Sequence, residues 1–302
     1  MDAGEYTIYV KGTNPNYQGE ATTTAKLTIK KRPVTFTGET ATKEYTGSEI
    51  ELTGVTPSEG EDEGLVSGHT DNVSYSAKGT EVGEYDGEIT AKADVVIMAG
   101  ETNVTANYEI TTTPGKLTIE ATDEEFEISL EDDEYVYDAA EHYNAKTAES
   151  TATTGTTTFS YSFEENGTYV SDLSSLTKVD AGEYTIYVKG TNPNYQGEAT
   201  TTAKLTITQR DVTFTATSEE KEYTGSEITI NGLTVSEGED EGLVDGHTHN
   251  VEFSASGTEV GEYTGTITEV LSVVIMSGTT DVTANYNITV VNGKLTITAT
   301  DE

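Results

Sequence analysis

Twenty-eight consecutive residues occur twice in this chain without a single change, at 2–29 and again at 180–207. The same spacing brings YTGSEI, at 45–50, back at 223–228. A shorter period lies inside this one, because KLTI closes a segment at 26–29, 116–119, 204–207 and 294–297. Internal repetition on this scale indicates an array of small structural units, each of which contacts only its neighbours.

The two periods together predict four segments of two alternating types, which we call A and B. They are a truncated A segment at 1–30, a B segment at 31–121, a complete A segment at 122–208 and a second B segment at 209–302. Because Met1 stands where Val179 stands in the second copy, we expect the sequence to be a piece of a longer protein. Residues 1–30 lack the strands with which they would pair. We expect them to be poorly ordered, packed against a neighbour or completed by another chain.

Polar and apolar residues alternate through each segment, which is typical of half-buried strands. Threonine and tyrosine are abundant, cysteine and tryptophan are absent, and no long run carries a helical period. In the last KLTI the alternation places Leu295 and Ile297 on one face, toward the core. We therefore predict an all-β fold, built of tandem immunoglobulin-like β-sandwich segments in an elongated array. Asn292 and Gly293, which tolerate the positive φ angles of a type I′ turn, predict a tight hairpin.

The A segment carries a further immunoglobulin feature. In DAGEYTIYV, at 180–188, a tyrosine precedes Ile186 by two residues. The tyrosine of a tyrosine corner precedes the disulfide cysteine of immunoglobulin domains by the same spacing, so packing of an aliphatic side chain would replace the disulfide. The B segments differ, because VGEYDG at 82–87 places Gly87 at the equivalent position. For the B segments, a β-grasp-like fold stays open as the alternative.

Four motifs follow one another in fixed order in the B segments. They are YTGSE at 45–49, GEY at 83–85, NVTANYEI at 103–110 and the closing KLTI at 116–119, with DVTANYNI at 281–288 as the second copy of the third motif. This order resembles the MBG-type and related immunoglobulin-like repeats of bacterial surface adhesins, and the likeness runs over nearly the whole chain. The resemblance implies an extracellular stalk or adhesin region without catalytic residues.

Acidic residues outnumber basic residues by 54 to 16, which gives a net charge of −38. A field of this sign repels nucleic acid and anionic membranes, so neither is expected as a partner. The sequence also contains no apolar run long enough to enter a membrane. No thiol nucleophile, Gly-x-Ser-x-Gly motif or His-Glu-x-x-His motif occurs, and we predict that the chain is not an enzyme.

The acidic loop EGEDEG, present in both B segments, is the candidate calcium site, since carboxylate oxygens are the ligands that Ca²⁺ prefers. The candidate ligands are Glu59, Glu61 and Asp62 in the first copy, and Glu237, Glu239 and Asp240 in the second. The loop lacks the spacing of an EF-hand, so a solvated loop is the simpler interpretation. No cofactor is predicted other than this candidate Ca²⁺.

Two other residue groups suggest chemistry. His247 and His249 lie two residues apart, a spacing compatible with a transition metal, and the first copy offers His69 and Asp71. The lysines of the four KLTI motifs are candidates for intramolecular isopeptide bonds, although an edge lysine that blocks strand pairing is the nearer explanation. They are Lys26, Lys116, Lys204 and Lys294.

The turn NPNYQG at 192–197 bears the candidate ligand-binding residues Tyr195 and Asn194, since an aromatic ring flanked by amides can stack on a sugar. The alternative is a ring that packs at the start of a strand. From the sequence alone we predict structural stalk or spacer repeats of a secreted bacterial surface protein, located outside the cell. The first alternative is repeats that themselves bind a host glycan or host surface protein. A distant third is the accessory region of a carbohydrate-active enzyme.

Overall fold

The computed structural model describes residues 1–300. Within that range strands dominate, and the helical residues form five three-residue 3-10 turns, at Lys92–Asp94, Thr105–Asn107, Leu173–Ser175, Val270–Ser272 and Thr283–Asn285. The all-β prediction is confirmed. A β-grasp fold needs a helix packed on its sheet, and residues 1–300 contain no α-helix, so the B segments also adopt the sandwich.

The chain divides into two compact units. The first unit contains residues 1–126 together with the loops 152–157 and 192–197, and the second contains the rest of the chain from 127 onward. These units do not coincide with the four segments of the sequence repeat, whose boundaries stay predictions. We keep A and B as names for the repeated stretches of sequence.

The strands of the first unit are β1 Gly4–Gly12, β2 Ala21–Ile29, β3 Arg32–Gly38, β4 Ala41–Glu44, β5 Ile50–Leu52, β6 Val55–Pro57, β7 His69–Asp71, β8 Tyr75–Gly79, β9 Gly83–Asp86, β10 Glu88–Ile89, β11 Ile97–Ala99, β12 Thr102–Asn103, β13 Tyr108–Thr113 and β14 Lys116–Glu120. β3 runs parallel to β13 and antiparallel to β6. β14 runs parallel to β4 and antiparallel to β9. Two further sheets have the orders β10-β8-β5 and β12-β11-β7.

The strands of the second unit are β15 Ile128–Ser129, β16 Asp133–Val136, β17 Glu149–Ser150, β18 Thr158–Ser162, β19 Gly182–Thr191, β20 Ala199–Thr208, β21 Arg210–Ala216, β22 Glu219–Glu222, β23 Ile228–Ile230, β24 Leu233–Val235, β25 His247–His249, β26 Phe253–Gly257, β27 Gly261–Thr264, β28 Thr266–Ile267, β29 Ile275–Ser277, β30 Thr280–Asp281, β31 Tyr286–Val291 and β32 Lys294–Thr298. The A segment forms the sheet β16-β20-β19-β18 and the small sheet β15-β17. The second B segment repeats the four sheets of the first.

Each B segment buries the apolar residues of its alternating pattern. In the first, Val34, Phe36 and Ile97 form one cluster and Leu117 and Ile119 belong to another. In the second, Leu295 and Ile297 are 0% and 1% exposed, which confirms the prediction that they face the core together. The burial of these side chains is the main stabilising contribution that a sandwich of short strands has available.

The predicted tight hairpin at Asn292–Gly293 is wrong. β31 runs parallel to β21, while β32 pairs with β22 and β27, so the two strands belong to different sheets. Gly293 does not have a positive φ angle. A Cβ atom there would overlap the backbone oxygen of Thr217. Glycine is needed at this position because the backbone passes close to another segment while it changes sheets.

Tyrosine corners occur in the B segments as well as in the A segments. In each of the four GEY motifs the tyrosine hydroxyl donates to the carbonyl oxygen four residues earlier, in the pairs Tyr6 to Asp2, Tyr85 to Glu81, Tyr184 to Asp180 and Tyr263 to Glu259. Ile186 is fully buried at the cysteine position, as predicted. In the B segments, a side chain at Gly87 or Gly265 would overlap the ring of Tyr75 or Phe253, so a neighbouring aromatic ring fills the space instead.

Residues 1–30 form a hairpin in which β1 pairs with β2 from Gly4–Ile29 to Gly12–Ala21. Its apolar side chains stay exposed: Ile8 and Val10 are each 46% exposed and Leu27 is 41% exposed. Of the three expectations for residues 1–30, packing against a neighbour is the one that the structure shows, since the hairpin contacts the first B segment through hydrogen bonds described below.

Candidate functional site

One asparagine of each B segment forms hydrogen bonds to the A segment that precedes it. In the second unit, Asn285 Oδ1 accepts a hydrogen bond from the Ala181 nitrogen at 2.7 Å. Asn285 Nδ2 donates to Asp180 Oδ1 at 2.9 Å. Asn285 is only 4% exposed, so its end of each bond is shielded from water, while the Asp180 side chain is exposed. We call this arrangement the asparagine clamp.

The first unit contains the same clamp. Asn107 Oδ1 accepts from the Ala3 nitrogen at 2.7 Å, and Asn107 Nδ2 donates to Asp2 Oδ1 at 2.8 Å. The clamp therefore forms on the bare hairpin of residues 1–30 as well as on the complete A segment. It depends on the short motif DAGEY and on the asparagine of TANY, and on little else of the A segment.

An apolar cluster continues across the clamp in the second unit. Tyr137, which follows β16 of the A segment, is 2% exposed, and its ring centroid lies 5.6 Å from that of Tyr286 in an edge-to-face contact. The same buried cluster includes Ile207 from the A segment and Phe214 from the B segment. Burial raises the pKa of the Tyr137 hydroxyl. The A and B stretches of this unit therefore share one core.

The two histidines of the second B segment have structural partners. His247 Nδ1 lies 2.6 Å from the Tyr286 hydroxyl, and His249 Nδ1 accepts from the Val251 nitrogen at 3.2 Å. Burial lowers the pKa of both imidazoles. Within residues 1–300, no group of three or more histidine, aspartate or glutamate side chains is arranged to hold a metal ion. The two candidate metal ligands, His247 and His249, therefore lie on the same strand, β25, and their ring nitrogens contact groups of the protein.

An arginine organises each acidic loop, and sequence reasoning missed it. The Arg210 guanidinium donates to the carbonyl oxygens of Gly238, Glu239, Glu241 and Gly242 at 2.9 to 3.2 Å. Arg32 makes the corresponding bonds in the first copy, to the carbonyls of Gly60, Glu61, Glu63 and Gly64. The signal was present, because these are the chain's two arginines and each stands at the start of a B segment.

The guanidinium bears directly on the calcium prediction. Carbonyl oxygens that would complete a Ca²⁺ shell already accept hydrogen bonds from an intramolecular cation. The candidate carboxylates are exposed, and the structure does not gather them around a common point; they are Glu59, Glu61, Asp62, Glu237, Glu239 and Asp240. Calcium binding by these loops stays a prediction.

The four KLTI lysines form exposed ion pairs with glutamates of the adjacent strand. The pairs are Lys26–Glu5, Lys116–Glu84, Lys204–Glu183 and Lys294–Glu262. An isopeptide bond needs its lysine in a buried cluster, and this geometry does not provide one. The lysines instead lie on the surface, where they add charge to the sheet.

The first unit contains a second kind of junction, formed between the first B segment and the loop 192–197. Asn194 is fully buried. Its Oδ1 accepts from the Val82 nitrogen at 2.8 Å, and its Nδ2 donates to Thr154 Oγ1 at 3.1 Å. Its backbone oxygen accepts from the Thr122 nitrogen at 3.1 Å. Every polar group of this side chain and its carbonyl therefore has a partner within the unit.

The neighbouring ring completes this loop junction. Tyr195 lies edge-to-face with Tyr45 at 5.5 Å between ring centroids, and 5.0 Å from the ring of Phe126. Burial raises the pKa of Tyr195. The two candidate ligand-binding residues are thus brought together, but they are used in packing. The buried amide of Asn194 is not accessible to a sugar.

Two acidic residues of the first B segment accept further hydrogen bonds at the loop junction. Glu81 Oε1 accepts from the Gly155 nitrogen at 3.0 Å. Glu44 Oε1 accepts from Thr122 Oγ1 at 2.7 Å, a bond that lowers the pKa of this carboxyl. Gly155 has φ 72°, and a Cβ atom there would lie 2.7 Å from Asn192 Oδ1. Glycine is required at that position both by its backbone conformation and by the close approach of the loop.

One open groove of about 440 Å³ lies on the A segment of the second unit. Tyr169, Tyr187 and Lys189 line it, and the Lys189 ammonium stands 4.6 Å from the Tyr169 ring centroid. The groove is exposed to solvent along one side of β19. Among residues 1–300, the structure has no helix with the length and apolar character needed to span a membrane.

No family model and no curated protein matches this chain. Among solved structures, the Drosophila N-cadherin EC1-4 fragment is 8% identical with a TM-score of 0.23, covering 97% of this chain and 83% of its own. Sidekick-1 immunoglobulin domains 1-5 are 11% identical with a TM-score of 0.26, over 98% of this chain and 66% of theirs. Surface layer protein SbsC, domains 1-6, is 14% identical with a TM-score of 0.24, over 100% of this chain and 45% of that one. At TM-scores this low, we take neither fold nor function from these structures.

Proposed function

We propose that this chain is a run of structural spacer repeats from an extracellular bacterial surface protein, with no catalytic role. The observation that carries the proposal is the asparagine clamp, which joins an A hairpin to a B segment in the same way in both units. A repeat whose junction is reproduced at a second place supplies length in proportion to the number of copies.

A spacer also needs junctions that resist bending. The A and B segments are connected by only a few residues, and each clamp adds two hydrogen bonds, worth about 1 kcal/mol each when formed inside a protein. The shared apolar cluster around Tyr137 adds burial to the junction of the second unit. These contacts support a firm connection in place of a flexible linker.

The surface chemistry supports the same role. A net charge of −38 favours solubility and keeps exposed sheet edges from pairing with other chains. The same charge disfavours nucleic acid and anionic membranes as partners, so we propose that the segment neither binds nucleic acid nor inserts into a membrane. The order of the sequence motifs, similar to that of MBG-type adhesin repeats, is the reason for proposing a bacterial surface.

Small-angle X-ray scattering of the full chain tests the spacer proposal. Three sandwiches placed end to end would reach on the order of 100 Å, which corresponds to a radius of gyration of about 30 Å. A compact globule of this chain length would have a radius of gyration of about 19 Å. A value near the larger figure supports the spacer, and a value near the smaller one rules it out.

A second candidate function is glycan binding, and the groove beside Tyr169 and Tyr187 favours it. Two aromatic rings and one cation along an open groove can stack on a sugar and pair with an acidic substituent. A glycan array probed with the full chain tests this candidate. Binding that is lost in Tyr187→Ala, and kept when the exposed hairpin residue is changed in Tyr9→Ala, would support it.

A further inference from the structure

An asparagine followed by a glycine occurs three times in this sequence, at Asn166, Asn231 and Asn292. Such a pair is chemically reactive. The backbone nitrogen of the glycine can attack the side-chain carbonyl carbon of the asparagine, and glycine has no Cβ atom to hinder the approach. Attack requires that this nitrogen gives up its proton and that the local backbone is free to rotate. The three pairs differ in how far the structure allows this.

The pair at Asn292 is held in place. The Gly293 nitrogen donates to Asn292 Oδ1 at 2.9 Å, so its proton is already engaged. Asn292 Nδ2 donates to the Gly265 carbonyl at 2.8 Å, which fixes the side chain. Gly293 is also buried, and the nearby backbone oxygen of Thr217 leaves it little room to move.

The pair at Asn166 is exposed, but its backbone is held in a turn. The Gly167 nitrogen donates to the Glu164 carbonyl at 3.0 Å, so this proton is engaged as well. The turn is closely packed, because a Cβ atom at Gly167 would lie 2.9 Å from Ser162 Oγ. Attack on the Asn166 side chain therefore requires that the turn opens first.

The pair at Asn231 has neither constraint. Asn231 and Gly232 form the whole connection between β23 and β24, and the Asn231 side chain is exposed. Within residues 1–300, neither the Asn231 side chain nor the Gly232 nitrogen has a hydrogen-bond partner. The Gly232 carbonyl accepts from the Thr217 nitrogen at 2.8 Å, so the glycine is held through its oxygen while its N–H stays free.

The first copy of this connection lacks both reactive features. Thr53 stands where the second copy has Asn231. The Gly54 nitrogen donates to Glu39 Oε2 at 3.3 Å, and the second copy has Thr217 in place of that glutamate. The second copy therefore combines a reactive asparagine with the loss of the carboxylate that would engage the adjacent N–H.

We propose that Asn231 is a site of spontaneous deamidation. The Gly232 nitrogen loses its proton and bonds to Asn231 Cγ, the bond from Cγ to Nδ2 breaks, and the side-chain nitrogen leaves as ammonia. Water then adds to one carbonyl of the resulting succinimide ring and opens it, which gives aspartate or isoaspartate. The inference does not depend on the proposed spacer role, since it concerns one connection inside a B segment.

The modification has a structural consequence. Either product adds a negative charge, and isoaspartate also lengthens the backbone between β23 and β24 by one methylene group. Ile230, directly before the site, is 4% exposed and belongs to a core cluster, while the hydrogen bond from Thr217 holds Gly232 on the other side. A longer backbone cannot keep both contacts unchanged, so we expect aged protein to unfold at a lower urea concentration than fresh protein.

Peptide mapping by mass spectrometry tests the proposal, with the full chain incubated in its folded state in mildly alkaline buffer. Enzymatic methylation of the isoaspartate carboxylate measures that product separately. We expect Asn231 to react at least about tenfold faster than Asn166 or Asn292, which corresponds to a cost of about 1.4 kcal/mol for opening either of the held pairs. The same chain unfolded in guanidinium chloride is the reference. There the three sites should react at similar rates, because each precedes a glycine.

Three substitutions separate the role of the free N–H from a general effect of charge. Thr217→Glu restores the carboxylate that the first copy has at this place, and it should slow the reaction of Asn231. Its control, Thr215→Glu, adds the same charge at an exposed position of β21 and should not slow it. Asn231→Thr introduces the residue of the first copy, and it should remove both the acidic product at this site and the fall in the urea midpoint on ageing.

Two results would overturn the proposal. One is an Asn231 that, relative to its rate in the unfolded chain, reacts in the folded chain no faster than Asn166 or Asn292. The other is equal slowing of the reaction by Thr217→Glu and Thr215→Glu. The first comparison uses the chain without substitutions, so it stays decisive even if one of the variants does not fold.

Discussion

Asn285 Nδ2 lies 2.9 Å from Asp180 Oδ1 although 105 residues separate the two in the chain, and Asn107 meets Asp2 in the same way at 2.8 Å. One of these A stretches is a complete segment and the other is a bare hairpin. The geometry of the clamp is therefore set by the short motifs that carry it. Because both copies carry these motifs, each A stretch contacts its B segment through the same hydrogen bonds.

Removing the clamp should destabilise the second unit. Asn285→Ala deletes two part-buried hydrogen bonds and leaves the Ala181 nitrogen without its acceptor, which we expect to cost about 2–3 kcal/mol of unfolding free energy. Urea unfolding measures the loss. The matched control is Asn287→Ala, two residues further along, whose hydrogen bond to Asp211 is exposed. Equal effects of the two substitutions would contradict the role given to the clamp.

The glycine at the cysteine position of the B segments should resist substitution. In Gly265→Ala the new methyl group would overlap the ring of Phe253, and such overpacking costs about 1–3 kcal/mol. Combining Gly265→Ala with Phe253→Leu should recover part of this loss, because the overlapping ring is gone. Thermal unfolding of the two single variants and the double variant gives the coupling. Strict additivity of the two losses would show that the ring and the glycine are independent.

The local parts of the fold could be predicted from the sequence. Alternation along KLTI correctly places Leu295 and Ile297 in the core, and the spacing of Tyr184 and Ile186 correctly predicts a tyrosine corner. The turn at Gly293 could not be predicted in this way. Its glycine serves a backbone contact with Thr217, which is distant in sequence, and local turn preferences carry no information about such contacts.

The candidate site was less accessible to sequence reasoning. The sequence predicts Tyr195 and Asn194 as candidate ligand-binding residues, but whether an amide and a ring bind a ligand or a neighbouring segment depends on tertiary contacts. The position of Arg210 at the start of a B segment marks it out in the sequence, but its partners cannot be predicted from the sequence because they are backbone carbonyls, which leave no residue pattern. The negative charge of the acidic loop could be read from the sequence, but the hydrogen bonds from the arginine guanidinium to the loop carbonyls could not.

Removing that cation should loosen the second acidic loop. Arg210 is 8% exposed and donates to four carbonyl oxygens, so Arg210→Met should lower the unfolding free energy by at least about 2 kcal/mol. Hydrogen exchange of residues 237–242 should accelerate in the same variant. Lys221→Met, which removes an exposed charge from the same B segment, is the control and should leave that exchange unchanged. Unaltered exchange in Arg210→Met would contradict the assigned role.

The stability of the second unit should fall in mild acid. Burial lowers the pKa of His247 and His249, so the unfolded chain takes up protons at a higher pH than the folded chain does. Stability is then fully present above the unfolded pKa of about 6.5 and is lost as the pH falls through the lower folded pKa.

One substitution isolates the histidine contribution to this pH dependence. His249→Asp introduces the residue found at the same place in the first copy, where Asp71 Oδ1 accepts from the Val73 nitrogen at 2.9 Å and so keeps the local hydrogen bond. Urea midpoints between about pH 5 and pH 7 should depend less on pH in this variant than in the wild type. An unchanged slope would show that His249 makes no contribution.

Side-chain contacts hold the repeats firmly at their junctions, and spin-label distances measure how firmly. The chain has no cysteine, so Lys92→Cys with Thr153→Cys provides two unique labelling sites, on the first B segment and on the loop 152–157. We expect one narrow distance distribution, which broadens when Asn194→Ala removes the loop junction. A distribution that is already broad in the doubly labelled chain with Asn194 intact, and unaffected by Asn194→Ala, would show that these contacts do not hold the junction.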